Sequence, residues 1–234
     1  MKPLLLALLL VLGLAASAAA NQVSIEAGPD GGVRLGGVNT ITGTVTDDAG
    51  APLAGREVRL EVRRHPFAGV WRRRATTTTD AAGAYAFRPE LDRNHEVRVR
   101  LVGILPEADT LSVVRNVFVL PAFKLSFAQR ANGKIRVRQD YTVPQDVLLT
   151  APTRFYVGPC DLKGQRCSAK LAPLVAVAKT KQVRKGRYRA TATVRIPARY
   201  EGRFQYVSCF TYSKGSGMGD PETLTCPKRR ARVG

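Results

Sequence analysis

Between Asn21 and Pro121 this 234-residue chain contains no lysine, although arginine is plentiful there. Its two histidines, His65 and His95, both fall in that stretch, and its four cysteines all lie after residue 159. From Ala122 onward only 6 acidic residues face 23 basic ones. Helical periodicity is nearly missing after residue 20. Each shortage excludes something. A serine or cysteine nucleophile in the second half has no histidine base from its own half, and its sparse carboxylates offer little general acid chemistry. A zinc site on the cysteines needs short C-x-x-C spacings, which six and sixteen intervening residues do not supply. Without a 3.6-residue period, strands are the regular structure left.

What is present begins with Lys2, an apolar run from Leu4 to Leu14, and small residues ending at Ala18-Ala19-Ala20. That order predicts a secretory signal peptide over residues 1–20, with the mature chain starting near Asn21. The run is short of the roughly 20 residues of a spanning helix, and the basic end, CPKRRARVG, carries no apolar tail. The expected location is therefore secreted or extracytoplasmic, at a cell surface or in a periplasm. Residues 21–121 hold 13 basic and 12 acidic residues, a net of +1, whereas residues 122–234 hold 23 and 6, a net of +17. This asymmetry predicts a domain boundary near Pro121.

Period-two alternation recurs along both halves and predicts half-buried strands. In the first half they fall at about 39–46, 57–64, 71–79, 84–87, 96–102 and 111–120. Turn residues separate them: Asp47 to Pro52, Pro66 to Gly69, and Asp80 to Gly83. The second half predicts strands at 134–141, 146–156, 171–180, 186–196, 202–212 and 222–225. The fold class expected is all-β, two consecutive Ig-like β-sandwich domains after the signal peptide, 21–121 and 122–234.

In the first half Gly43-x-Val45, Asp48-x-Gly50-x-Pro52-Leu53-x-Gly55-x-x-Val58-x-Leu60 and Thr79-Asp80-x-x-Gly83-x-Tyr85-x-Phe87 follow one another in order. Over residues 39–119 this resembles the carboxypeptidase regulatory-like and transthyretin-like group of Ig-like modules. The resemblance implies a non-catalytic appendage of a secreted or surface protein. The peptidase for which the group is named holds zinc with a His-x-x-Glu pair, but His65 is followed by Pro66-Phe67-Ala68 and His95 by Glu96-Val97-Arg98. Related surface modules lock themselves with a Lys–Asn isopeptide bond, which the absence of lysine excludes here. The second half resembles no family.

The cysteines predict disulfides. Proximity favours Cys160 with Cys167 and Cys209 with Cys226; the alternative joins one of the early pair to Cys209 across the sandwich. Asp47, Asp48 and Asp80 match no calcium loop, and turn formation accounts for them. No catalytic residue, metal or cofactor is expected.

Arginine recurs at every second place in HEVRVRLVG, 95–103, and KIRVRQDY, 134–141. Side chains alternate between strand faces, so Val97, Val99 and Leu101 share one side while Glu96, Arg98 and Arg100 share the other. Glutamates among the first-half arginines predict a balanced, solvated face. The second half has few acids to balance Lys181, Arg184, Lys185, Arg187, Arg189, Arg195, Arg199 and Arg203, nor its basic tail from Lys228 to Arg232. Such a surface attracts polyanions, and Tyr188, Tyr200, Phe204, Tyr206 and Tyr212 are candidates to stack on bases or sugars. Two functions follow: a structural or adhesive β-sandwich module, or a binder of an anionic polymer or surface glycan such as acidic polysaccharide, envelope polymer or extracellular DNA.

Overall fold

The computed structural model describes residues 21–29, 32–103, 108–129, 134–158, 174–195, 204–210, 216–219 and 228–231. Strands dominate it. Up to Pro121 they are β1 (Gln22–Val23), β2 (Glu26–Gly28), β3 (Val33–Arg34), β4 (Thr40–Thr46), β5 (Glu57–Arg64), β6 (Arg72–Thr78), β7 (Ala84–Phe87), β8 (His95–Leu101), β9 (Thr110–Leu111), β10 (Arg115–Val117) and β11 (Val119–Leu120). Beyond it come β12 (Ala122–Gln129), β13 (Lys134–Thr142), β14 (Thr153–Gly158), β15 (Leu174–Ala178), β16 (Lys181–Arg184), β17 (Arg187–Arg195), β18 (Phe204–Phe210) and β19 (Lys228–Ala231). Among the described residues no helix is long and apolar enough to cross a membrane.

In the first half β4 pairs with β1, β2 and β7, and a second sheet runs β10-β8-β5-β6, with β9 also on β8. β3 and β11 form a separate parallel pair, Val33 with Val119 and Arg34 with Leu120. In the second half one sheet runs β12-β13-β17-β16 and the other β15-β14-β18-β19. The all-β architecture expected from alternation is therefore the one observed. The described pairings between named strands do not cross Pro121.

Alternation places the core. On β8, Val97, Val99 and Leu101 are fully buried while Glu96, Arg98 and Arg100 lie half-buried opposite. They pack with Val58, Leu60, Ile41 and Val45; burying each such side chain contributes about 1.5–3 kcal/mol. The second core is built from Ile135, Val137, Tyr141, Phe155, Ala190 and Val194. Its two sheets are tied by polar contacts as well. The Tyr141 hydroxyl of one sheet lies 2.6 Å from Thr153 Oγ1 of the other, and the Tyr188 hydroxyl donates to the carbonyl of Val147, in the connection between β13 and β14, at 2.9 Å.

The motif residues of the first half have local reasons. Asp80 caps its turn, its Oδ1 accepting from Ala82 and Ala84 N–H, both at 2.9 Å. Gly83 has φ +70°, and a Cβ there would stand 2.5 Å from the Val45 carbonyl. Thr79 Oγ1 donates to Leu53 O at 2.6 Å and accepts from Arg56 N–H at 2.9 Å. Tyr85 reaches across to donate to the Ser24 carbonyl. Gly43 makes room for that contact, because a Cβ would meet Ser24 O at 2.2 Å.

Three expectations change. The strand predicted at 111–120 is three short pieces, β9, β10 and β11. Leu111 faces Arg100 and Arg115 faces Val97, so four steps on one side oppose three on the other, the count of a bulge. Ser112 sits in that bulge, and its Oγ accepts the Val99 N–H at 2.9 Å while Val113 and Val114 turn to solvent. The strand predicted at 146–156 begins only at Thr153. Pro144 and Pro152 bracket the missing part, and Val147 N–H turns back to Pro144 O at 3.1 Å instead of joining a ladder. Finally, β1, β2, β3, β12, β16 and β19 are strands that the alternation reading does not include, and the strand predicted at 222–225 lies outside the described residues.

The halves touch through Asn94. Its N–H donates to Gly217 O at 2.8 Å, its Nδ2 to Gly219 O at 2.7 Å, and its Oδ1 accepts from Val119 N–H at 2.9 Å. Met218 is buried beside these contacts, and Arg93 pairs with Asp146 at 2.5 Å. The Asp146 carboxyl is held below its usual range, first by that hydrogen bond from Arg93.

Candidate functional site

Two arginine-rich faces stand on the outsides of the two halves. On the first, β5 and β8 bring Arg63 opposite Glu96, Glu61 opposite Arg98, and Arg59 opposite Arg100. Glu61 is buried and accepts from Arg98 Nε at 2.7 Å and pairs with Arg100 Nε at 2.8 Å. Arg100 also meets Asp109 at 2.9 Å, Arg59 meets Glu57 at 2.6 Å, and Arg63 pairs with Glu96. Trp71 takes the guanidinium groups of Arg63 and Arg98 over its ring, at 4.7 and 4.3 Å from the centroid. Four arginines of β5 and β8 thus meet four carboxylates, as the interleaved glutamates predict, and Arg73 of β6 stands exposed opposite Glu61 as a fifth cation.

The second face is different. In the sheet β12-β13-β17-β16, register places Lys124, Asp140, Arg189 and Lys181 on one rung. On one side lie Thr142, Arg187 and Arg184. On the other lie Arg138, then Arg136, then Lys134 paired with Arg195. On β13 and β17 the positions between them are turned inward, Ile135, Val137, Gln139, Tyr141, Ala190 and Val194 among them, so the charged residues of these strands point outward, and β16 is exposed along its length. Among the described residues nine cations share the face with one carboxylate, Asp140. Neighbours stand roughly 7 Å apart along a strand and about 5 Å across strands.

Asp140 is the hub. Its Oδ2 accepts from Arg138 Nε at 2.6 Å and its Oδ1 from Arg189 Nε at 2.8 Å. Burial works to raise its pKa, but the hydrogen bonds and charges of the two arginines outweigh it and hold the carboxyl below the usual range. Around this hub lies an open trough of about 560 Å³ that also takes in Lys124, Arg184 and Arg187, with Val183, Tyr141 and Tyr188 among its walls. Arg34 of β3 lies over the ring of Phe123, 4.2 Å from the centroid, so the first half reaches the trough's rim.

Of the eight basic residues singled out in the sequence, Lys181, Arg184, Arg187, Arg189 and Arg195 share this face, and Lys185 occupies the turn joining β16 to β17. Arg199 and Arg203 lie outside the described residues. The structure adds Lys124, Lys134, Arg136 and Arg138, of which the last three stand in the KIRVRQDY alternation. Asp140 follows Arg138 in the same alternation, whereas Lys124 required the pairing of β12 with β13 to be seen as a member. Tyr188 is not a stacking platform: it is buried, with its hydroxyl committed to Val147. The other four candidate aromatics fall outside the described side chains.

Cys209 lies in β18. Cys160, Cys167 and Cys226, and with them the expected pairing, lie outside the described residues. Among the described residues no three His, Cys, Asp or Glu side chains gather as a metal site requires. His95 is buried, its Nδ1 2.8 Å from Arg93 O, and burial pushes its pKa below the usual value. His65 packs edge-on against Phe67 at 5.2 Å. Asp47 is spent on its turn, accepting from Ala51 N–H at 2.8 Å.

Residues 40–150 match the carboxypeptidase regulatory-like domain. The match continues past Pro121 through β12 and β13, further than the motif residues of the first half extend. No curated protein matches the sequence. Similar solved structures include a red sea bream transglutaminase, 13% identical, covering 88% of this chain and 30% of that one at a TM-score of 0.35. Another is invasin, a bacterial integrin-binding protein, 16% identical, covering 88% of this chain and 38% of that one at a TM-score of 0.35. The chain spans about a third of the length of each.

Proposed function

We propose, starting from the carboxypeptidase regulatory-like domain that residues 40–150 carry, that this is a non-catalytic, extracytoplasmic structural or adhesive β-sandwich protein. Its adhesive surface is the basic face of the second half, and its partner is an anionic polymer. One observation carries the reading: among the described residues nine outward cations share a face with a single carboxylate, whereas on β5 and β8 each arginine has an acidic partner. A balanced face gains little from an added anion. An unbalanced one lowers its own repulsion and releases counterions when a polyanion binds.

Export rests on the signal-like order of residues 1–20, and an oxidising destination suits disulfides among Cys160, Cys167, Cys209 and Cys226. The sheets on either side of Pro121 are read as the two domains, 21–121 and 122–234.

The test uses the full mature chain on heparin, linear polyphosphate and polyglutamate at several salt concentrations. Arg184→Gln, Arg187→Gln and Arg189→Gln combined are compared with Arg72→Gln, Arg73→Gln and Arg74→Gln, which remove the same charge from exposed β6. Binding lost in the first triple and kept in the second supports the reading. Equal losses reduce it to net charge, and no binding to any of the three polymers ends it.

A further inference from the structure

A face built for net charge alone has no use for Asp140, yet this carboxylate, the single one of the face among the described residues, lines the trough. It takes the Nε of Arg138 and the Nε of Arg189, at 2.6 and 2.8 Å. Among the described residues neither guanidinium makes a further hydrogen bond through Nη1 or Nη2. The outer nitrogens of two long side chains are therefore held in place while still free to donate. Ordering such chains in advance removes part of the entropy cost that binding otherwise carries.

The donor set also bears on ligand class. One arginine fork saturates both oxygens of a carboxylate. Here two forks line one trough with the ammonium of Lys124, which stands on the same rung as Asp140 and Arg189. A tetrahedral oxyanion with several charged oxygens uses such a set more fully. Arg187 and Arg184 on one side, and Arg136, Lys134 and Arg195 on the other, continue the cationic path beyond the trough. That continuation suits successive groups of one extended chain.

Resting on the polyanion reading above, we propose that Asp140 positions Arg138 and Arg189 as a paired clamp for the phosphate groups of a linear polymer, which the basic face takes in preference to carboxylates. Asp140 is a positioning residue and need not touch the ligand. This inverts the expectation from charge counting. Removing a negative charge from a polyanion site ordinarily strengthens binding, whereas here it releases both arginines.

The experiment measures anisotropy of labelled linear polyphosphate with the full mature chain at fixed ionic strength, beside polyglutamate of matched charge number. Asp140→Asn is expected to bind polyphosphate about tenfold more weakly although it is more positive by one. Arg138→Lys, which keeps the charge and loses the fork, is expected to move the same way. Polyglutamate is expected to bind the wild type more weakly and to respond little to either change. Circular dichroism melts establish which variants fold, and Arg138→Lys carries the test if Asp140→Asn does not. Unchanged or tighter polyphosphate binding by a folded variant overturns the clamp. Equal wild-type affinity for polyglutamate overturns the phosphate preference. Failure of the wild type to bind either polymer or heparin removes the broader polyanion reading instead.

Discussion

The faces carried by β5-β8 and by β13-β17 start from the same sequence device, arginine at alternate positions of an antiparallel pair, and end as different surfaces. On β5-β8 each arginine finds a glutamate or aspartate, and Trp71 covers two guanidiniums. On β13-β17 threonine, lysine and arginine stand where the acids would be, leaving Asp140 to serve two arginines alone. Alternation therefore fixes which way a cation points. What stands across the ladder decides whether it is structural or available.

That difference is broken most sharply by exchanging it. Introducing acids into the second face, as Thr191→Glu and Thr193→Glu beside Arg138 and Arg136, recreates the first-half pattern. Polyphosphate affinity is expected to fall by at least tenfold, and the salt slope of log Kd to fall by about 2, one for each contact cancelled. Isothermal titration at several salt concentrations measures both. An unchanged slope means that these cations are not the contact surface.

The cores differ from the faces, because neither depends on charge. Leu60→Ala in the first half is expected to cost about 2–5 kcal/mol, since Leu60 is fully buried. Chemical denaturation provides the measurement, and polyphosphate affinity of the folded fraction should stay unchanged because the site lies on the other half.

Ion pairs supply the next contrast. Glu61 is buried and holds Arg98 and Arg100, so Glu61→Gln is expected to cost about 1–3 kcal/mol. Asp140 makes the same number of pairs, but Arg138 and Arg189 keep 43% and 39% of their side-chain exposure. Solvent screening should hold Asp140→Asn below about 1 kcal/mol of stability. A larger stability loss for Asp140→Asn than for Glu61→Gln in paired denaturation curves would falsify the assignment of one hub to structure and the other to binding.

How far the sequence discloses this follows from the range of each signal. The inward sets Val97, Val99, Leu101 and Ile135, Val137, Tyr141 are local period-two patterns, so they are legible at once. The turns at Asp80 and Gly83 are equally local, because a capping carboxylate and a positive φ are properties of a few residues. Asp140 as a hub is not local: its second arginine lies 49 positions away, and only strand pairing brings it there. Asn94 joins residues even further apart, and nothing in its neighbours marks it. The bulge at Ser112 breaks the strand expected over 111–120 through a side chain that captures a backbone N–H across the ladder. Alternation cannot register that competition. β12 was readable in principle, since Phe123, Leu125 and Phe127 alternate, but its place beside Pro121 reads equally as a linker.

The mildest separation of the halves is by pH, because both histidines belong to the first. His95 is buried and its pKa is lowered, chiefly by that burial. An unfolded chain then binds the proton more readily than the folded one, so stability is full above the ordinary value of 6.5 and declines as pH falls from there toward the lowered value. Asp140 and Asp146 have lowered carboxyl pKa values, so their contributions persist through this window and are lost only below the ordinary 3.8. Between those limits acid should loosen the His95 end of β8 while leaving β13 intact. Amide hydrogen exchange at pH 7 and pH 5, corrected for intrinsic rates, is expected to show faster exchange at Val97 and Val99 with Val137 and Gln139 unchanged. Replacing His95 by Gln should remove the pH response of β8, and an equal response in both sheets would assign the effect to the fold as a whole instead of to this histidine.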